Sequence, residues 1–80
     1  MQSRKVYVRV TAEFDESGNI IPVNIIWEDG RKFTIDRVTD IRRAYAKKVG
    51  GTAIRYTVHI NSRITFLFCD DGKWFVESNV

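Results

Sequence analysis

Alternation of apolar and other residues with a period of two dominates this sequence. It is clearest in VYVRVTAEF, residues 6–14, and it returns in IRYTVHI, residues 54–60. Successive side chains of a strand lie on opposite faces of a sheet, so this pattern is typical of strands that bury one face. It predicts a chain that is mainly β.

Short turn sequences separate the alternating runs. The stretch FDESGNI has a turn composition, and WEDGRKF places Asp29 and Gly30 between two β-rich runs. Asp-Gly is a strong signal for a two-residue type I′ turn, which requires positive φ at both central residues. The predicted cross-strand pairs are then Glu28–Arg31, Trp27–Lys32 and Ile26–Phe33.

Two more hairpins are predicted nearer the C-terminus. Residues 61–63, NSR, read as a loop of about three residues, because a two-residue loop would pair apolar with polar side chains. The predicted pairs are Ile60–Ile64, Val58–Phe66 and Tyr56–Phe68. The run ITFLFC is apolar on both faces, as a central strand would be, and Asp71-Gly72 leads from it into a last strand, KWFVE.

The segment 39–51 leaves three interpretations open. The period of two slips after Asp36, which a β-bulge would explain. Apolar residues then recur at helical spacing, with Thr39 or Asp40 available as a cap and Gly50 as a terminator, so a short helix is one interpretation. A bent strand running past Ile41 into a flexible Ala/Lys/Gly loop is the second, and an irregular segment is the third.

Short strands joined by tight turns in a chain of 80 residues predict one small domain over residues 1–80. We expect five or six antiparallel strands in an SH3-like barrel, with one short helix or long loop around residues 40–50. Closure into a barrel would remove exposed sheet edges, which are prone to unwanted pairing.

Positive charge is concentrated in one part of the chain. The net charge is +3, yet residues 31–55 carry eight cations and two acids, and the rest carries five cations and eight acids. Such asymmetry indicates a polyanionic partner, with phosphates as ligands of the cations and a tyrosine as a stacking surface for a base. The candidate nucleic-acid-binding residues are Arg42, Arg43, Tyr45, Lys47, Lys48 and Arg55. The competing interpretation is that these cations only keep a small apolar-rich domain soluble.

The residue types that metal sites and catalytic dyads need are scarce in this sequence. With one histidine, His59, and one cysteine, Cys69, a zinc site or a Cys–His dyad is not expected. His59 is predicted to be a solvated strand residue and Cys69 a structural thiol. No catalytic or cofactor-binding constellation can be assembled, and no apolar run approaches a membrane span, so the sequence predicts a non-enzymatic, cytoplasmic protein without cofactor.

The strings IIWEDGRKFTIDRVTDIR, KVGGTAIRYTVHI and KWFVE together resemble a group of short bacterial proteins of unknown function. That group has a Trp and Gly-Arg hairpin, a basic strand and a closing strand with Trp, and the likeness covers roughly residues 22–77. The resemblance implies a bacterial origin and an SH3-like small β-barrel, and it carries no catalytic residues.

These observations predict a binding module. The first hypothesis is nucleic-acid binding through the segment 42–55. The second is a protein-interaction module that uses a barrel edge or an aromatic groove near Trp27 and Trp74. Self-association is a third.

Overall fold

Residues 3–46 and 51–79 are described by the computed structural model of this chain. They form eight strands: β1 Ser3–Tyr7, β2 Arg9–Phe14, β3 Ile20–Ile26, β4 Lys32–Thr34, β5 Arg37–Ala46, β6 Gly51–Ile60, β7 Arg63–Asp70 and β8 Lys73–Asn79. The mainly β prediction is confirmed.

All pairings between neighbouring strands are antiparallel, within two sheets. The larger sheet has the order β1-β8-β7-β6-β5, and the smaller sheet has the order β2-β3-β4. The described residues contain no closed barrel, and their strands outnumber the five or six predicted. Two long alternating runs bend in the middle, and each half of a run pairs in a different sheet.

The first bend is at Val8 and the second at Ile35 and Asp36. The Val8 amide donates to the Trp74 carbonyl at 3.1 Å, between the end of β1 and the start of β2. The Ile35 amide donates to β3 at 2.9 Å, and the next amide, that of Asp36, donates to β6 at 2.7 Å. The chain therefore changes sheets between two adjacent residues, which alternation alone does not reveal.

The core lies between the two sheets. Buried side chains from both sheets meet there: Val6, Ile25, Ile35, Tyr56, Val58, Leu67 and Val76. The Tyr56 hydroxyl also donates to the Ile20 carbonyl at 2.8 Å, which ties β6 to the start of β3. We call the face of the large sheet that points away from this core the outer face.

The turn between β3 and β4 forms where it was predicted, but the predicted register is wrong. The Gly30 amide donates to the Trp27 carbonyl at 2.9 Å, and the Trp27 amide donates to the Arg31 carbonyl at 2.7 Å. Among the described residues, Gly30 has positive φ and Asp29 does not. The loop is therefore three residues long, with glycine in the left-handed position that such loops favour. The observed pairs are Ile26–Lys32, Ile25–Phe33 and Asn24–Thr34.

The turn between β6 and β7 departs from its prediction in the opposite direction. Asn61 and Ser62 have φ of 50° and 66°, so they form a two-residue loop of the type I′ kind rather than a loop of three. Tyr56 therefore pairs with Leu67 and not with Phe68. The other observed pairs are Val58–Thr65, His59–Ile64 and Ile60–Arg63. The Asp71-Gly72 turn forms as predicted, with Asp70 opposite Lys73.

Residues 37–46 are a strand, so the helical interpretation is wrong for this part of the segment. The register of β5 against β6 shifts between Val38 and Asp40, which confirms a bulge after Asp36. The predicted loop that would follow falls on residues 47–50, outside the described residues. A single domain over residues 1–80 stays a prediction.

Candidate nucleic-acid interface

The predicted basic cluster is divided by the pleat of β5. Arg42 pairs directly with Arg55 across β5 and β6, and both lie on the outer face. Arg43 pairs with Ile54, and Tyr45 with Thr52, on the opposite face of the same strand. The four described candidates are therefore divided between the two faces, with Arg42 and Arg55 on the outer face and Arg43 and Tyr45 on the opposite one. Lys47 and Lys48 lie outside the described residues.

Asp40 compensates part of the positive charge. The Arg42 guanidinium donates to both of its carboxylate oxygens, at 2.6 Å from Nε and 3.2 Å from Nη2. These hydrogen bonds, helped by the charges of Arg42 and Arg55, hold the pKa of Asp40 below its ordinary value, against the opposing effect of desolvation. The same hydrogen bonds raise the pKa of Arg42. Arg42 is thus fixed in position close to Arg55.

Arg55 is held by an aromatic ring rather than by an acid. Its guanidinium carbon lies 4.5 Å from the centre of the Phe66 ring, a cation–π geometry. Its Nε atom is buried and has no hydrogen-bond partner among the described residues. A buried donor without a partner costs free energy, and the cation–π contact with Phe66 is the contact that holds the guanidinium here.

Aromatic side chains extend this region across the sheet. Tyr7, Phe75, Phe68, Arg55 and Arg42 form one register-aligned row on the outer face, from β1 to β5. Phe68 and Phe75 stack with centroids 5.2 Å apart and are almost fully buried, whereas Tyr7 is 53% exposed.

Each exposed aromatic ring of this face carries a cation. The Lys5 ammonium lies 4.8 Å from the centre of the Tyr7 ring, as Arg55 lies over Phe66, which is 46% exposed. We call Lys5, Tyr7, Arg42, Arg55 and Phe66 the outer-face cluster. Ile64, also exposed, continues the apolar surface along β7.

Three members of the outer-face cluster were missed by the sequence prediction: Lys5, Tyr7 and Phe66. They come from β1 and β7, far from residues 42–55 in the chain, and only the strand order brings them together. One signal was present in the sequence. The run ITFLFC is apolar on both faces, which indicates a second apolar surface beyond the core.

The two tryptophans do not share a groove. Trp74 packs against Tyr56, with ring centroids 5.2 Å apart, and contacts the core. Trp27 also packs against the core, and it lines a cleft between the two sheets of which Trp74 is not a lining residue.

The one histidine, His59, and the one cysteine, Cys69, are both partly buried. A ring nitrogen of His59 lies 3.2 Å from the Thr39 hydroxyl on the outer face, where alternation placed it, but the residue is half-buried rather than fully solvated. Burial raises the pKa of the Cys69 thiol, which keeps it in the less nucleophilic protonated form.

Within residues 3–46 and 51–79, no three His, Cys, Asp or Glu side chains are grouped as metal ligands would be. The same residues contain no helix that could span a bilayer.

No protein-family model, curated protein or solved structure matches this chain.

Proposed function

We propose that this chain binds single-stranded nucleic acid on the outer face of its large sheet. The observation that carries the proposal is the outer-face cluster, which combines two exposed aromatic rings, Tyr7 and Phe66, with three cations, Lys5, Arg42 and Arg55. Proteins that bind single strands combine stacking rings with cations that follow the phosphates. In this arrangement Tyr7 and Phe66 stack unpaired bases.

A sheet face with exposed aromatic rings suits a single strand better than a duplex. Every base offers a π-face, so stacking tolerates many sequences, and it requires that the bases be unpaired. We therefore expect little sequence preference and weaker binding to duplex DNA. The chemistry is non-enzymatic and needs no cofactor. The likeness to SH3-like proteins, the bacterial origin and the cytoplasmic location stay predictions, and the proposal does not depend on them.

The test is fluorescence anisotropy with labelled single-stranded DNA, single-stranded RNA and duplex DNA, titrated from low to physiological salt. Binding to single strands should weaken steeply with salt, because phosphate contacts release counterions. Phe66→Ala should weaken binding by about 5- to 150-fold, the equivalent of roughly 1–3 kcal/mol for one stacked base. Tyr45→Ala removes an exposed aromatic ring from the opposite face of the sheet and should have little effect.

Adjacent arginines supply a matched control for the cations. Arg42→Gln should reduce the magnitude of the salt slope by about one and weaken all sequences alike, as expected for a phosphate contact. Arg43→Gln removes the same charge from the next residue, on the opposite face. Equal losses in the two variants would show that the binding site is not the outer face, and an absence of binding at low salt would refute the function.

A protein-interaction module is the second candidate, and the exposure of Ile64 and Phe66 favours it. These residues present an apolar surface on one strand, a feature of protein-binding sites. The basic residues would then serve only solubility. Sedimentation velocity over a range of concentrations would detect self-association through this surface, and Ile64→Ser should abolish it.

A further inference from the structure

A cleft of about 740 Å³ lies between the two sheets. One side is formed by Trp27, Phe33 and Ile25, from β3, β4 and the loop between them. The other side is formed by Ile60 and Val76 of the large sheet. Ile25 and Val76 are buried members of the core, so the cleft has an apolar floor and two aromatic side chains in its lining. Its volume is within the range of small-molecule sites.

Two arginines in the lining differ in how they are held. Arg31 is already engaged, since its Nε donates to Asp29 at 2.6 Å and its guanidinium carbon lies 5.4 Å from the centre of the Phe33 ring. Arg63, which is exposed at the start of β7, makes no hydrogen bond or ion pair with another side chain within residues 3–46 and 51–79. The acid of the lining, Glu77, is not free, because it has an interaction of its own.

The lining thus combines an apolar floor with a cation, Arg63, that has no side-chain partner in the described part of the chain, and these two features favour one class of ligand. An apolar or aromatic body gains free energy by leaving water for the surface formed by Trp27, Phe33 and Ile25. A carboxylate or sulfonate on that body would meet a guanidinium, whose planar donors match two acidic oxygens. A neutral ligand would gain only the first of these two contributions.

We propose that the cleft binds a small amphipathic organic anion, with its apolar body against Trp27 and Phe33 and its acidic group at Arg63. This site is separate from the outer-face cluster and does not rest on the proposed nucleic-acid binding. None of the residues that define the cleft belongs to that cluster.

The test uses naphthalene-2-sulfonate as the probe and naphthalene-2-sulfonamide, neutral at pH 7, as its uncharged analogue. Both are titrated into the full chain and followed by heteronuclear NMR, with the Trp27 indole as one reporter. We expect saturable binding with shifts at Trp27, Phe33 and Ile60. The anion should bind about tenfold more tightly than the neutral analogue, which corresponds to about 1.4 kcal/mol.

Arg63→Gln tests the contribution of the guanidinium charge to ligand affinity, because it replaces that group with a neutral amide. We expect this variant to lose the preference for the anion while it keeps its affinity for the neutral analogue, since the apolar lining is unchanged. Arg43→Gln, the same substitution outside the lining, should keep the preference. Three results would overturn the proposal: no saturable binding, equal affinities of the two probes for the unmodified chain, or shifts confined to Tyr7 and Phe66 on the outer face.

Discussion

One carboxylate, that of Asp15, holds the turn between β2 and β3. The Asp15 carboxylate accepts hydrogen bonds from the amides of Ser17 and Asn19, at 2.9 and 2.8 Å, and from the Asn19 side chain at 3.1 Å. These bonds hold the chain between β2 and β3 in a turn, as Asp side chains commonly do. The amide of Asn19 is the largest cause that lowers the pKa of Asp15 below its ordinary value of 3.8.

The lowered pKa of Asp15 predicts how its contribution to stability depends on pH. A carboxyl group with a lower pKa in the folded state stabilises the fold above its unfolded pKa, and this effect disappears as pH falls through the folded pKa. Urea unfolding of the unmodified chain and of Asp15→Ala should therefore show a constant gap in unfolding free energy from about pH 5 to 7, which closes below about pH 4. A gap that persists unchanged at pH 2 would contradict this assignment.

At the scale of elements, the sequence predicts strands well and registers poorly. The alternating runs and the positions of the turns were predicted correctly, because side-chain period and turn composition are local. A register depends on the φ of one or two residues. Asp29-Gly30 suggested a two-residue turn but belongs to a three-residue loop, whereas Asn61-Ser62 forms a two-residue turn without glycine.

Two glycines, one with positive φ and one without, allow the effect of this angle on the stability of the fold to be measured. Gly30 has a φ of +93°, which L-residues rarely adopt, so Gly30→Ala should destabilise the fold by about 1–2 kcal/mol. Gly51 at the start of β6 has no positive φ, and a Cβ there would meet no atom within 4 Å. Gly51→Ala should therefore change stability by no more than about 0.5–1 kcal/mol, in the stabilising direction. Denaturant unfolding of both variants gives the comparison, and equal losses would contradict the turn assignment.

The whole molecule buries apolar side chains on both faces of its large sheet, and in the sequence only the run ITFLFC indicates this. Predicting it needs the strand order, which brings β1 beside β8 and places Phe75 between Tyr7 and Phe68. The candidate site was also predicted without knowledge of the strand order. Residues 42–55 are close in sequence, yet the pleat separates Arg42 from Arg43, and the partners of Arg42 on the outer face come from distant strands.

Two residues of β7, one buried and one exposed, allow the stability effects of truncating a core side chain and a surface side chain to be compared. Leu67 is fully buried between the sheets, so Leu67→Ala should cost about 2–5 kcal/mol, a large fraction of the stability of a small domain. Ile64 is 65% exposed, and Ile64→Ala should stay within about 0.5 kcal/mol of the unmodified chain. The free energies of unfolding in urea provide the measurement. A comparable loss in both variants would mean that the outer face is covered rather than exposed.

The pairing of β1 with β8 also determines the order in which this chain can fold. Ser3 lies opposite Asn79, so the large sheet joins residues separated by nearly the whole sequence. Such contacts raise the contact order, and the entropy of closing so long a loop opposes them until the other strands have assembled. During synthesis, β1 leaves the ribosome before β8 and cannot pair with it until β8 has been made. The Lys5–Tyr7 part of the outer-face cluster is consequently completed last, and an incomplete chain would lack the ordered stacking surface.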